Sequence, residues 1–122
     1  MAMDACRLAG VPLVLAGRNG DHSYVREEIE PRLAPGQATW LGEMPHSELR
    51  SLVANCAVTV ASPRWEEPFG LVAFESMACG TPVAAFQRGG MGELLQRAPV
   101  ALAAPDDVDA LAAAIHRARR ID

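Results

Sequence analysis

Short continuous apolar runs, each closed by glycine or a turn, recur along the chain and alternate with segments of helical periodicity. The connections between them are too short for anything but right-handed crossovers. Together these observations predict an α/β fold: a doubly wound parallel sheet with helices on both faces. The length of 122 residues allows one domain with a real core and leaves no room for a second of ordinary size. Half of the residues are hydrophobic but only 5% are aromatic, a balance that suits helices packed closely on a buried sheet.

The elements follow in order. Val11-Pro12-Leu13-Val14-Leu15-Ala16-Gly17 has the composition of a strand buried on both faces, and helix-like sequence precedes it. Residues 22 to 30 carry mixed charge with Val25 and Ile29 one turn apart, which predicts a solvated helix ending near Pro31. Ala38 to Gly42 is a second strand-plus-glycine unit. After Pro45, the apolar positions Leu49, Leu52, Val53 and Cys56 follow the spacing of one helix face. Ala57 to Ala61 is the next strand, running into a polar loop from Ser62 to Pro68. A helix then starts near Gly70 and stops at Gly80, with Pro82 behind it. Pro82 to Phe86 is a strand, Gly89-Gly90 opens a helix through Glu93 and Leu95, and Pro99 to Ala103 makes a short strand. Asp106-x-x-Asp109 begins a last helix with Val108, Leu111, Ala112 and Ile115 on one face.

Several functions are excluded early. A formal net charge of -4 provides no global basic field for nucleic acid or an anionic membrane. Cys6, Cys56 and Cys79 are widely spaced in apolar runs and draw neither a disulfide framework nor a metal pattern. No uncharged run approaches the roughly 18 residues of a membrane span, and the first residues lack the pattern of a signal peptide. The expectation is a cytoplasmic protein without bound metal.

Open α/β sheets bind ligands at the carboxyl ends of their strands. The loop there that carries most chemistry is Glu67-Pro68-Phe69-Gly70-Leu71-Val72-Ala73-Phe74-Glu75, with two carboxylates eight positions apart around a helix start. A helix N-terminus presents unpaired N–H groups and about half a positive charge, so it can hold a phosphate without a basic side chain. Glu75 lies about five residues down the helix, roughly 7.5 Å along its axis. A diphosphate at the helix start would have its ribose near Glu75, while Glu67 could reach hydroxyls of a group on the other phosphate. By spacing alone, both glutamates also fit the ordinary description of solvated surface carboxylates.

The composite pattern weighs against that ordinary description. Glu-Pro-Phe-Gly-Leu, then Glu-Ser-Met-Ala-Cys-Gly-Thr-Pro-Val-Ala, then Gly89-Gly90 and Glu93, resembles the donor site of retaining glycosyltransferases of group 1 (the GT4 family), which have the GT-B fold. Pro12 to Gly17, Trp40-Leu41-Gly42, Val60 to Pro63 and Ala104 to Ile115 resemble further segments of that family, so the likeness covers nearly the whole chain. The resemblance implies a Rossmann-like half of a GT-B enzyme. It also implies transfer of a hexosyl group, with retention, from a nucleoside-diphosphate sugar to an acceptor.

It further implies roles for individual positions. Glu67, the catalytic candidate, faces the donor sugar hydroxyls, and the backbone of Phe69, Gly70 and Leu71 approaches the sugar and diphosphate. Glu75 binds the ribose. Gly42, Glu43 and Met44 form the loop whose main chain meets the nucleobase, and Gly17 lines the cleft near the phosphates. The family needs no metal cofactor, and its donor is a substrate.

Departures from the pattern are equally definite. The Arg and Lys that grip the diphosphate in the family have no counterpart here, and Arg18 reads as a solvated loop residue. The first strand of the family's domain and the acceptor-binding domain before it are not represented. Residues 1–122 are therefore expected to be one nucleotide-sugar-binding domain lacking its first strand, catalytically silent alone, with a sheet edge that favours self-association. A stand-alone nucleotide-sugar-binding module and part of a nucleotide-sugar epimerase of the same plan are the alternatives. His22, His46 and His116 lack ligand spacing, Cys79 reads as a small buried hydrophobe, and Trp65 as a loop residue packed on the domain body. Arg117, Arg119 and Arg120 complement a helix end.

Overall fold

The strand β4, Val83–Phe86, is buried at all four positions, and its alternation places helices on both faces of the sheet. Ala84 and Phe86 join a cluster with Ala5 and Cys6 of helix α1 (Ala2–Ala9) and with Leu111, Ala114 and Ile115 of helix α5 (Val108–Ala118). Val83 and Ala85 point the other way, into a cluster with Met77 of helix α4 (Leu71–Ala78). The α/β class predicted from the apolar runs is therefore the one observed. The computed structural model describes residues 2–16, 22–61, 71–87 and 100–120, and for residues 71–74 the backbone alone.

The strands are parallel and short. β1 (Leu13–Leu15) pairs with β2 (Ala38–Trp40), and β3 (Thr59–Ala61), β4 and β5 (Val100–Ala103) form a second sheet in that order. Each strand is two or more residues shorter than its apolar run, except β4 and β5, because loops take up the ends. Helix α3 (His46–Ala54) begins after Pro45 as its sequence requires, yet none of its residues is buried, and its stripe of Leu49, Leu52, Val53 and Cys56 lines a cavity.

Two local expectations are corrected. The segment from 22 is helical but irregular: a single turn α2 (His22–Tyr24), a π-turn at Val25–Ile29 and a 3-10 turn at Glu30–Arg32. Pro31 sits inside that last turn, at its start, where the absent N–H leaves no hydrogen bond unmade. The cap of α5 is Asp107, which accepts a hydrogen bond from the Ala110 N–H at 2.9 Å, and Asp106 precedes it in the left-handed region (φ 60°). The helix expected from Gly89-Gly90 lies outside the described residues.

A third correction concerns β1. Its run reads as a strand buried on both faces, but Val14 is 43% exposed and Leu13 and Leu15 are half-buried. The physical reason is its position. Among the described residues it pairs along one edge, with β2, and the other edge borders the cavity.

Helix α4 ends in a Schellman motif. Thr81 N–H donates to the Ser76 carbonyl at 3.0 Å and Gly80 N–H to the Met77 carbonyl at 2.9 Å, with Gly80 in the left-handed region (φ 81°). That geometry folds Thr81 back beneath the helix, where a buried hydroxyl network forms. The Ser76 Oγ lies 2.9 Å from the Thr81 carbonyl and 2.8 Å from Thr59 Oγ1. A serine hydroxyl has one proton, so Ser76 donates to the carbonyl and accepts from Thr59. Thr81 Oγ1 donates to the Val53 carbonyl at 2.7 Å. One network thus ties β3, α4 and the end of α3 together.

Candidate functional site

From β1 the chain steps to β2 on one side, and from β3 it steps to β4 and β5 on the other. The direction of winding reverses between β1 and β3, and in open α/β sheets such a reversal is where a crevice forms at the strand ends. A cavity of about 910 Å³ lies between β1 and β3 along their length, walled by residues 11–16 on one side and 57–60 on the other.

Helix α4 follows β3 and starts at Leu71, so its N-terminus and the dipole it carries stand at the carboxyl end of the sheet. Glu75 is its fifth residue, is exposed, and lines the cavity. Its neighbour Ser76 is 1% exposed and is held by the Thr59 and Thr81 contacts. The network thereby fixes the helix turn that carries Glu75 against β3. Sequence reading missed this network because nothing in the spacing of Thr59, Ser76 and Thr81 signals that a helix cap will bring them together.

Gly42, Glu43 and Met44 leave the sheet at the end of β2. Leu41 N–H donates to the Leu15 carbonyl at 2.9 Å, which extends the ladder one residue past Trp40, and Gly42 then turns the chain with φ 74°. A side chain at that φ is strained, so glycine is required for a turn this close to the strand. Glu43 is exposed and Met44 half-buried. These three residues are not part of the cavity wall, so the structure places Glu75 on the cavity and the 42–44 loop at the neighbouring strand end. Gly17, Glu67, Phe69 and Gly70 lie outside the described residues, as do Arg18 and Trp65.

Three basic residues outside the sequence-based site also line the cavity: His46 and Arg50 of α3, and Arg119 just past α5. Arg50 could have been found from periodicity, because positions 46, 49, 50 and 53 share one helix face. Arg117, by contrast, donates to the Leu102 carbonyl at 2.8 Å and ties the end of α5 to β5.

Residues 2–120 match the family of glycosyl transferases group 1. The chain belongs to that family. Glycogen synthase of Mycobacterium tuberculosis (strain H37Rv) is 33% identical over 107 residues, covering 87% of this chain and 26% of that protein. D-inositol 3-phosphate glycosyltransferase of Mycobacterium bovis is 37% identical over 92 residues, 71% of this chain and 19% of the relative. Among solved structures, Anabaena Alr3699/HepE in complex with UDP superposes with a TM-score of 0.80 at 27% identity, covering 99% of this chain and 37% of that one. The same protein in complex with UDP-glucose gives 0.78 at 26% identity, covering 99% and 37%. The chain thus spans about a quarter of the length of the glycogen synthase it matches. Among the described residues, no helix is long and apolar enough to cross a membrane.

Proposed function

We propose that this chain is the donor-binding half of a retaining, GT4-type hexosyltransferase of GT-B architecture. The observation that carries the reading is the placement of α4. Its N-terminus stands at the carboxyl end of the sheet beside the winding reversal, with Glu75 on the cavity wall, in a fold that closely matches a protein holding UDP and UDP-glucose. In this reading the backbone N–H groups around Phe69, Gly70 and Leu71 stabilise the departing diphosphate, with no bound metal. Glu75 holds the ribose diol, Glu67 positions the sugar hydroxyls, the main chain of Gly42, Glu43 and Met44 meets the base, and Gly17 lines the phosphate side. The acceptor and its domain come from elsewhere in a longer enzyme. The 122-residue chain therefore binds donor in the cytoplasm without turning it over.

The test is a titration of UDP, UDP-glucose and GDP-mannose into the chain while amide shifts are followed. Expected are shifts at residues 42–44 and 67–75, and a loss of affinity of about tenfold or more in Glu75→Ala, as for a hydrogen bond to a charged group. If no ligand moves residues 67–75, or Glu75→Ala binds as tightly as wild type, the assignment fails.

A further inference from the structure

We propose that Cys56 and Cys79 form a dithiol that closes to an intramolecular disulfide on oxidation, tethering the end of α3 to the end of α4. This inference does not depend on the identity of the donor.

Backbone hydrogen bonds bring the two cysteines together through a single residue. Cys56 lies just past the end of α3 and Cys79 just past the end of α4. The Val53 carbonyl accepts from the Cys56 N–H at 3.1 Å and from Thr81 Oγ1 at 2.7 Å. The Ser76 carbonyl accepts from the Cys79 N–H at 3.1 Å and from the Thr81 N–H at 3.0 Å. Thr81 therefore shares one acceptor with each cysteine, and because it is 2% exposed the two helix ends are held against it from either side.

A disulfide needs Cα atoms roughly 4.4–6.8 Å apart, the scale on which two helix ends meet across one residue. Both cysteines stand outside the helices, where the chain turns toward β3 and β4, so small rotations there join the sulfurs without breaking either helix. Both are also half-buried and line one cavity, which leaves them open to a small oxidant. Cys6 does not compete. It packs in the α1 and α5 cluster on the other face of the sheet, is 2% exposed, and burial pushes its thiol up.

The oxidant is a small-molecule disulfide such as oxidised glutathione. One cysteine thiolate attacks it, forming a mixed disulfide and releasing one glutathione thiolate. The second cysteine thiolate then displaces the other glutathione. One S–S bond breaks in the oxidant and one forms in the chain, and the two cysteine protons end on two molecules of reduced glutathione. The Cys79 N–H also donates to the Glu75 carbonyl at 3.2 Å, so the tether acts one helical turn from Glu75. Redox state thereby sets how firmly the turn that carries Glu75 is held.

The experiment treats the folded 122-residue chain, dilute and monomeric, with oxidised glutathione, blocks the remaining thiols and digests with trypsin without reduction. Cleavage after Arg7, Arg50, Arg64 and Arg88 puts the three cysteines in separate peptides. Expected are a loss of two hydrogens from the intact mass and a linked pair of the Cys56 and Cys79 peptides at least tenfold more abundant than either pairing with Cys6. The same oxidation in urea should spread over all three pairings. The oxidised chain should melt roughly 5–20 °C above the reduced one, whereas Cys56→Ser and Cys79→Ser each stop at a glutathione adduct and show no rise. Stable adducts on both cysteines without a link overturn the proposal, as do links between copies. So does a folded chain whose pairings match those in urea, or an oxidised chain that melts no higher than the reduced one.

Discussion

Replacing Ser76 by alanine removes the hydroxyl at the centre of the network that joins β3, α4 and α3. Ser76 and Thr81 are 1% and 2% exposed, so the loss falls in the buried interior. Two hydrogen bonds go, at about 1 kcal/mol net each, and the Thr81 carbonyl loses its side-chain donor in a buried position, which adds up to about 1 kcal/mol. The expected destabilisation is roughly 2–3 kcal/mol. For a domain of this size each kcal/mol moves Tm by about 3–6 °C, so the transition falls by roughly 6–18 °C. Denaturant unfolding followed by circular dichroism reads the change as a lower midpoint at unchanged slope. Thr59→Val keeps the shape and removes only one donor, for about 1 kcal/mol. Because both substitutions delete the same Thr59–Ser76 bond, their double mutant should be no less stable than Ser76→Ala alone within about 0.5 kcal/mol. A cost for Ser76→Ala below about 0.5 kcal/mol, or full additivity with Thr59→Val, would refute the network as drawn.

Three further outcomes follow from the fold. Phe86→Ala empties a fully buried position shared by α1 and α5, and the loss of about 3–5 kcal/mol should leave little folded protein at 37 °C, read by thermal denaturation. Asp107→Ala removes the cap of α5 and costs about 1 kcal/mol by denaturant titration. Burial pushes the Cys6 thiol up, so under native conditions Cys6 should be alkylated much more slowly than the half-buried Cys56 and Cys79, measured by mass spectrometry of labelled peptides. The sign of the accompanying pH effect is fixed: the folded state keeps the Cys6 proton longer than the unfolded chain, so stability falls as pH rises through the ordinary thiol range and above. A Cys6→Ser variant should lose that part of the alkaline decline.

The apolar runs and the helical stripes were sufficient to define the parallel α/β class, the position of every described strand and the helix after Pro45, because burial on a sheet imposes a period that sequence displays directly. Gly80 and Pro82 likewise announced the end of α4. The start of α4 near Gly70 was legible as a helix boundary after a strand, whereas a donor role for Glu75 rests on the resemblance and belongs to the proposed function. What the sequence could not display was partnership across distance. That Ser76 meets Thr59 and Thr81, that Asp107 and not Asp106 caps α5, and that Arg117 reaches the Leu102 carbonyl all depend on how the chain returns upon itself. The position of β1 shows the division most clearly. Its composition by itself predicted a parallel-sheet strand, since an unbroken apolar run suits a strand covered by helices. Only the tertiary structure decided that one edge pairs with β2 while the other faces a cavity, because strand neighbours are chosen by backbone hydrogen bonds and every strand offers the same ones.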